Sequence, residues 1–230
     1  MTAQEMQYNF ELKLGEHDSL NKSFSSYDVN FFLNKSQDDL VEGFYSARIN
    51  PASRYFEMDE RARAMLALLI ESTIITSGSF DSSSSDLHSN AVFVTLPSNF
   101  LYALEEQCSV SYTDCNNTST TKISRVLPVR HDEYSMNIDN VYKKPWRDLV
   151  WRMDFGDSGG RKKHELIYGS GITINSYRLR YLRKPLSINI LTGVDCELND
   201  LLHEELVDRA VAFAITSKNI ETKVEQITET

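Results

Sequence analysis

Four short segments of the 230-residue sequence carry residue types that could do chemistry. Residues 156–160 read GDSGG, the string that surrounds the nucleophile of trypsin-like proteases, so Ser158 is a candidate nucleophile. That reaction also needs a base histidine and an orienting aspartate, which precede the serine in those proteases. The earlier histidines His17, His88 and His131 all lack the expected Ala-Ala-His-Cys context. Because glycine, aspartate and serine also favour turns, the sequence predicts a hairpin turn here.

The other three segments also lack the partners that their chemistry requires. Asp154-Phe155-Gly156 spells the magnesium motif of kinases, but the glycine-rich loop, lysine strand and catalytic loop of kinases are missing. His203-Glu204 lacks the second histidine of a zinc-binding HExxH helix. His131-Asp132-Glu133 cannot all face one ion from a strand. With no P-loop or Rossmann fingerprint either, the sequence predicts no catalytic residue, no metal ligand and no cofactor.

Charge is distributed unevenly along the chain. The hydrophobic fraction of 41% and the charged fraction of 25% are typical of a folded protein. Residues 1–120 carry 7 Lys/Arg and 17 Asp/Glu, a net charge of −10, whereas residues 121–197 carry 14 and 9, a net of +5. Residues 198–230 carry 3 and 7, a net of −4. A net charge of −9 argues against general nucleic-acid binding. The basic middle of one subunit could instead bind the acidic flank of another by charge complementarity.

Cysteine usage favours an intracellular protein. Cys108, Cys115 and Cys196 are odd in number and show no CxxC spacing, which suits a reducing compartment. The polar N-terminal residues do not resemble a signal peptide, and no apolar run approaches the ~20 residues of a membrane span. The sequence therefore predicts a soluble protein without a membrane partner.

Three segments show apolar residues spaced three and four apart, which predicts helices. Ser25 and Asp28 form a capping signal before the first helix, and Asn199 is the expected N-cap of the last. The predicted helices span residues 28–49, 58–75 and 200–217.

Between residues 91 and 184 the pattern changes to the alternation that is typical of strands. In residues 172–182, apolar side chains alternate with Arg178 and Arg180, which predicts a sheet with one dry face and one wet face. The serine-rich stretch 77–90 is predicted to be a flexible loop.

This order of elements predicts an α+β fold. The N- and C-terminal helices are expected to pack as a small bundle, with an antiparallel β-meander inserted between them. Residues 25–217 are predicted to form one domain, in which 91–184 is the β-rich insertion. Residues 1–24 are predicted to be an extended arm and residues 218–230 a frayed polar tail.

Aromatic and arginine side chains are interleaved in the basic middle of the chain. Such a mixture can stack single-stranded bases, and it is also favoured at the hot spots of protein interfaces. Because the chain as a whole is acidic, the sequence favours a subunit interface and leaves a nucleic-acid-binding module at 122–184 as the alternative. The candidate interface residues are Trp146, Trp151, Arg152, Tyr177, Arg178, Arg180, Tyr181 and Arg183.

Four longer segments share their order and spacing with a known family. They are YDVNFFLNKSQDDLVEGFY (27–45), VTLPSNFLYALEE (94–106), LPVRHDEYSMNIDNVYKKPW (127–146) and YRLRYLRKPLSINILTGVDCELNDLLHEELVDRAV (177–211). Together they resemble the neck proteins of tailed bacteriophages, the ring or head-to-tail adaptor proteins between portal and tail, and most of all those of crAss-like phages. The resemblance covers residues 25 to 215 and rests on a pattern, not on a chemical motif.

The resemblance implies a non-enzymatic structural protein of the virion that is made in the cytoplasm of the bacterial host. It implies many copies, commonly twelve, in a closed ring that surrounds the DNA channel. The ring would stack on the portal protein or on another neck or tail ring, and DNA would pass without specific binding. Such a connector needs two different complementary faces, which the acidic ends and the basic middle of this chain offer.

Overall fold

The computed structural model describes residues 1–17, 24–46, 59–156 and 160–228. The chain divides into two compact units: a helical unit of residues 1–69 and 185–230, and a β unit of residues 70–184. The fold is thus mixed α and β, as predicted, and the β unit is inserted between the two parts of the helical unit. That the two units form one domain stays a prediction. The described helices are α1 (Ala3–His17), α2 (Ser26–Tyr45), α3 (Glu60–Leu66), α4 (His131–Asn137) and α5 (His203–Thr228).

Helix α2 begins at a reciprocal cap. The Ser25 hydroxyl accepts from the Asp28 amide at 3.3 Å, and the Asp28 carboxylate accepts from the Ser25 amide at 3.1 Å, so the predicted capping signal is confirmed. Asn199 likewise accepts from the Leu201 amide at 3.1 Å and caps a 3₁₀ turn that leads into α5. The predicted apolar stripe of α2 is buried, which confirms the helical spacing: Val29, Leu33, Ser36, Leu40 and Phe44.

Helix α5 packs against both N-terminal helices of its unit. The buried Ser36 hydroxyl of α2 donates to the Leu206 carbonyl at 2.7 Å, and Arg209 pairs with Asp39 at 2.7 Å. On α1, the Lys13 ammonium pairs with Asp208. The apolar faces of α2 and α5 are therefore covered by one another, as their spacing requires.

Two predictions about the chain ends are wrong. The N-terminal arm is not extended, because residues 3–17 form α1, which buries Met6, Phe10 and Leu14 at intervals of four residues. Residues 18–23 of the predicted arm lie outside the described residues. The predicted frayed tail begins too early, because the backbone of α5 continues to Thr228. Residues 218–228 contain neither glycine nor proline, so nothing in them ends the helix.

The predicted helix 58–75 is confirmed only for residues 60–66 and is wrong beyond them. Helix α3 ends at Leu66, a 3₁₀ turn covers Ala67–Leu69, and the chain then forms strand β1 (Ile70–Thr76). Its run of β-branched residues restricts χ1 and favours an extended backbone, which outweighs the helical spacing of the apolar residues. Residue 58 and the end of the predicted first helix, residues 47–49, lie outside the described residues.

One eight-stranded sheet makes up the β unit, in the order β1-β8-β4-β5-β6-β7-β3-β2. Strand β2 lies within the stretch predicted to be a loop, so the sheet starts earlier than residue 91. The remaining strands are β2 (Phe80–Asp81), β3 (Ala91–Thr95), β4 (Phe100–Thr113), β5 (Ser119–Pro128), β6 (Leu149–Gly156), β7 (Lys162–Ile167) and β8 (Ile172–Arg183).

The sheet is not the antiparallel meander that the sequence predicted. Strands β6 and β7 pair as an antiparallel hairpin, but β8 pairs with β4 and β1 and not with β7. Strands β5 and β6 run parallel, so the chain must cross over between them, and residues 129–148 with α4 form this connection. Alternation of apolar residues reveals strands but not their partners, which explains the error. The turn predicted at GDSGG includes residues 157–159, which lie outside the described residues.

The sheet curls so that distant strands share one core. The apolar cluster on its inner face combines Val94 of β3, Cys108 of β4, Leu166 of β7 and Leu179 of β8, although β7 and β8 are far apart in the strand order. Strand β4 pairs with β8 through three register shifts, and such irregularities bend a strand and increase its twist. The inner face is the dry face that the alternation of β8 predicted.

A row of amide side chains on α2 holds an extended segment of the helical unit. The Asn34 side chain donates to the Ile188 carbonyl at 2.9 Å and accepts from the Ile188 amide at 2.8 Å. Asn30 accepts from the Ile190 amide at 3.0 Å, and Gln37 donates to the Leu186 carbonyl at 2.9 Å. Spaced by four and three residues on one helix face, these amides satisfy backbone groups that no strand pairs with.

Candidate subunit interface

The eight predicted interface residues divide into a buried and an exposed group. Trp151, Tyr177 and Tyr181 are buried inside the β unit, and only 12% of the Arg152 side chain is exposed. These four side chains pack within the chain, and their contact with another subunit stays a prediction. The alternation of β8 turns Tyr177 and Tyr181 to the inner face of the sheet, whereas Trp151 is covered on the outer face by the β5–β6 crossover. For Trp146, Arg178, Arg180 and Arg183, contact with another subunit stays a prediction.

Two arginines of β8 pair with acidic residues of neighbouring strands. Arg180 lies 2.9 Å from the Glu105 carboxylate on β4, and the largely buried Arg183 lies 3.0 Å from Glu71 on β1. An exposed pair such as Arg180–Glu105 contributes at most about 1 kcal/mol to stability. Part of the positive charge on this face is thus already matched within the chain.

A polar cluster lies inside the curled sheet at Tyr177. Its hydroxyl donates to the Glu106 carboxylate of β4 and lies 2.8 Å from Nδ1 of His164 on β7. Arg152 of β6 contacts both, with Nη1 3.0 Å from Nε2 of His164 and Nε 3.5 Å from the Glu106 carboxylate. Burial, followed by the nearby Glu106 charge, raises the pKa of Tyr177 far above its ordinary value, so the phenol stays protonated.

Asp154 links this cluster to solvent. Its exposed carboxylate lies 3.3 Å from His164 Nε2 and 3.2 Å from Arg152 Nη1. The hydrogen bond from His164, together with the Arg152 charge, lowers the pKa of Asp154. The whole arrangement joins β4, β6, β7 and β8 by charge-assisted hydrogen bonds, and it fills the core of the sheet instead of lining an open cleft.

Trp151 packs on the opposite, outer face of the sheet. It clusters with Met153 and Ile167, and the β5–β6 crossover covers it with Tyr134 and Ile138. The Tyr134 and Trp151 rings meet edge to face with centroids 6.2 Å apart. The base of the crossover is therefore a structural cover of the sheet.

The rest of the crossover projects from the β unit. We call residues 139–147 the crossover tip, in which only Pro145 is buried and Arg147 half-buried. Tyr142 is 98% exposed, and Trp146 is exposed beside Arg147, whose guanidinium carbon lies 5.5 Å from the centre of its ring. Lys143 and Lys144 are exposed as well. Of these residues, the sequence analysis singled out only Trp146; the run Tyr-Lys-Lys-Pro-Trp-Arg was the signal that could have found the others.

A second exposed apolar surface lies on α1 in the helical unit. Tyr8 and Leu12 face solvent four residues apart, flanked by Glu5 and Glu11, and we call these four residues the α1 outer face. A shallow depression lies beside Tyr8, with Gln4 and Glu5 in its wall. This surface could not be predicted from an extended arm at residues 1–24, because it exists only when these residues form a helix.

Another functional class would be indicated among the described residues by a metal site, a membrane helix, a catalytic motif or a surface that stacks bases. Within the described ranges, no three His, Cys, Asp or Glu side chains are grouped so that they could bind a metal ion. No described helix combines the length and the apolar character that crossing a membrane requires. The protease string at 156–160 includes residues 157–159, which lie outside the described part, whereas Asp154-Phe155-Gly156 forms the end of strand β6. With three aromatic residues of the 122–184 segment buried, bases cannot stack on them in this structure.

Comparison with known proteins identifies the family to which the chain belongs. The family model described as phage tail ring protein 3/4 matches residues 1–226 of the chain. The chain is 28% identical over 214 residues to Ring protein 3 of Bacteroides phage crAss001, which covers 86% of this chain and 87% of that protein. It is also 23% identical over 207 residues to Ring protein 4/5 of the same phage, with coverages of 83% and 82%.

The chain therefore belongs to the phage tail ring protein 3/4 family. This confirms the resemblance that the four sequence segments indicated. Membership makes the chain a structural ring protein of the phage tail, and thus a virion component that assembles from many subunits.

Proposed function

We propose that this chain forms a closed homo-oligomeric ring in the neck of a tailed phage, between portal and tail, where the ring surrounds the DNA channel. The observation that carries the proposal is the match of the family model over residues 1–226, nearly the whole chain. The ring contains many copies, with twelve as the expected number. The chain is made in the cytoplasm of the bacterial host and performs its role by contact, without catalysis.

Two relatives occur in one phage, which supports a position in a stack. Ring protein 3 and Ring protein 4/5 of Bacteroides phage crAss001 are both similar to this chain over more than 80% of its length. A family that supplies more than one ring protein to one particle suits rings that lie on top of one another. This chain accordingly stacks on the portal protein or on another neck or tail ring.

The helical unit is the proposed body of the ring. Within this unit α5 contacts both α1 and α2, which supports this role, and the β unit would contact neighbours. The net charge of −9 lets DNA pass along the channel without neutralisation of many phosphates, which keeps binding weak.

The test is the mass of the assembly. We expect native mass spectrometry and negative-stain images of the purified chain, mixed with the portal protein of the phage that encodes it, to show rings of defined copy number. A separate sample without portal shows whether rings form alone. A chain that stays monomeric in both samples and is absent from purified virions contradicts the proposal.

A further inference from the structure

The geometry points to one contact between neighbouring copies: the crossover tip of one copy docks on the α1 outer face of the next copy. The inference rests on the proposed ring assembly and specifies the surfaces that build it. Each of the two surfaces is exposed in the single chain, so each is free to meet a second copy.

Exposed apolar side chains at both surfaces need cover. Tyr142 is almost fully exposed at the tip of the crossover, and Trp146 and Val141 lie exposed on either side of it. On α1, Tyr8 is 67% exposed and Leu12 is about half exposed. Aromatic side chains that project from a surface are typical anchors of protein interfaces, and a depression such as the one beside Tyr8 is where such an anchor fits.

Opposite charges favour contact between the crossover tip of one copy and the α1 outer face of another. The crossover tip carries three cations, Lys143, Lys144 and Arg147, against the single carboxylate of Asp139. Ion pairs of Lys143 and Lys144 are absent from the described residues. The α1 outer face carries Glu5 and Glu11 and no cation. Two tips would repel one another, and so would two α1 faces, whereas a tip and an α1 face attract.

The contact is heterologous, and that is the type that a ring requires. Each copy presents both surfaces and uses a different one toward each neighbour, so the same contact repeats around an axis until it closes. An isologous pairing of either surface with itself would give a dimer and is disfavoured by the like charges.

The experiment uses two complementary charge-reversed variants of the full chain. The tip variant carries Lys143→Glu and Lys144→Glu. The face variant carries Gln4→Lys and Glu11→Lys and leaves Glu5 intact, because that carboxylate accepts from the Thr2 amide at 2.9 Å. We expect neither variant to assemble alone in sedimentation velocity runs. Mixed in equal amounts they assemble in alternation, since each tip then meets a face of opposite charge.

A matched control separates this contact from a general effect of charge. Arg61→Glu with Arg63→Glu changes the net charge by the same amount at two exposed residues of α3. We expect this control to assemble like the wild type. Carbodiimide cross-linking of the wild type, read by mass spectrometry, should join Lys143 or Lys144 to Glu11 between copies.

The outcomes distinguish failure of this contact from failure of the proposed ring. If the wild type assembles and the tip variant assembles equally well, this contact is wrong and the ring itself is unaffected. If the wild type does not self-associate at any concentration, alone or with portal, both the contact and the ring are contradicted. If the tip variant assembles normally but loses affinity for a double-stranded DNA oligonucleotide, the tip faces the DNA channel instead.

Discussion

Asn34 and Ile188 are joined by two hydrogen bonds, in which one side-chain amide pairs with the backbone of an extended residue as a neighbouring strand would. The same Asn34 amide nitrogen also donates to the Asn30 carbonyl at 2.7 Å. Ile188 and Ile190 are buried, so this polar row holds the apolar side chains of the segment against the helical unit. Through Asn34, the chain that leaves the sheet is fixed before it enters α5.

Replacing Asn34 by alanine should lower the free energy of unfolding by about 1–3 kcal/mol, because the partly buried amide and carbonyl of Ile188 lose their partners. Urea denaturation measures the difference. Asn116→Ala, in an exposed turn, is the control and should change stability by less than about 0.5 kcal/mol. Equal stability of the two variants would show that the pairing is dispensable.

Replacing Tyr177 by phenylalanine should cost about 1–3 kcal/mol of stability, because the buried Glu106 carboxylate and His164 lose the hydroxyl that joins them. Thermal or urea unfolding provides the measurement. Tyr112→Phe, on the neighbouring strand β4 but only partly buried, is the matched change. If both variants unfold alike, the cluster contributes nothing to stability.

Much of the helical unit could be predicted from sequence. The cap at Ser25 and the stripe of α2 follow from local spacing, and so does the start of α5 at Asn199. Strand β1 is missed because the prediction weights the helical spacing of its apolar residues above its β-branched residues, and its pairing with β8 is a long-range contact that local spacing does not reveal. The parallel pairing of β5 with β6 is likewise a long-range contact that no local pattern encodes.

The candidate interface shows the same limit. The alternation of β8 correctly placed Tyr177 and Arg178 on opposite faces, but residue types alone suggested an interface for both. Large aromatic residues serve cores and interfaces equally well, so type does not decide between them. The exposure of each side chain decides between core and interface, and that exposure depends on how the sheet curls.

The three cysteines should react at very different rates. Burial raises the pKa of Cys196 to about 11 and raises the pKa of Cys108 further, so at pH 8 both thiols are protonated; Cys108 is buried and Cys196 is partly buried. Cys115 is exposed. We expect a maleimide reagent to label the folded chain once and the urea-unfolded chain three times, by intact mass. Rapid labelling of a Cys115→Ser variant would contradict the low reactivity expected of Cys108 and Cys196.

Stability should fall as the solution is acidified below about pH 6.5. Burial lowers the pKa of His203 below the ordinary histidine value of 6.5, and its Nε2 lies 3.0 Å from the Leu198 carbonyl. The unfolded chain therefore binds a proton more readily than the folded chain in this range, and acidification favours unfolding. Unfolding curves at pH 7.5 and 5.5 should differ less for His203→Gln than for wild type.

Gly169 fixes the base of the crossover tip. A Cβ at this residue would lie 2.9 Å from the Pro145 carbonyl oxygen, so Gly169→Ala must displace the backbone there. We expect a loss of about 1–3 kcal/mol in stability and weaker assembly. Gly78→Ala, which would meet nothing within 4 Å, is the control. Wild-type assembly of Gly169→Ala would show that the position of the tip is unimportant.

The crossover between the parallel strands serves two purposes at separate places along its length. Its first half shields Trp151, and substitutions there threaten folding. Its tip contributes almost nothing to the core, so the chain can acquire insertions, deletions or altered charge at residues 139–144 while the sheet stays intact. A ring protein built in this way can change its choice of neighbour by small steps without first losing its fold.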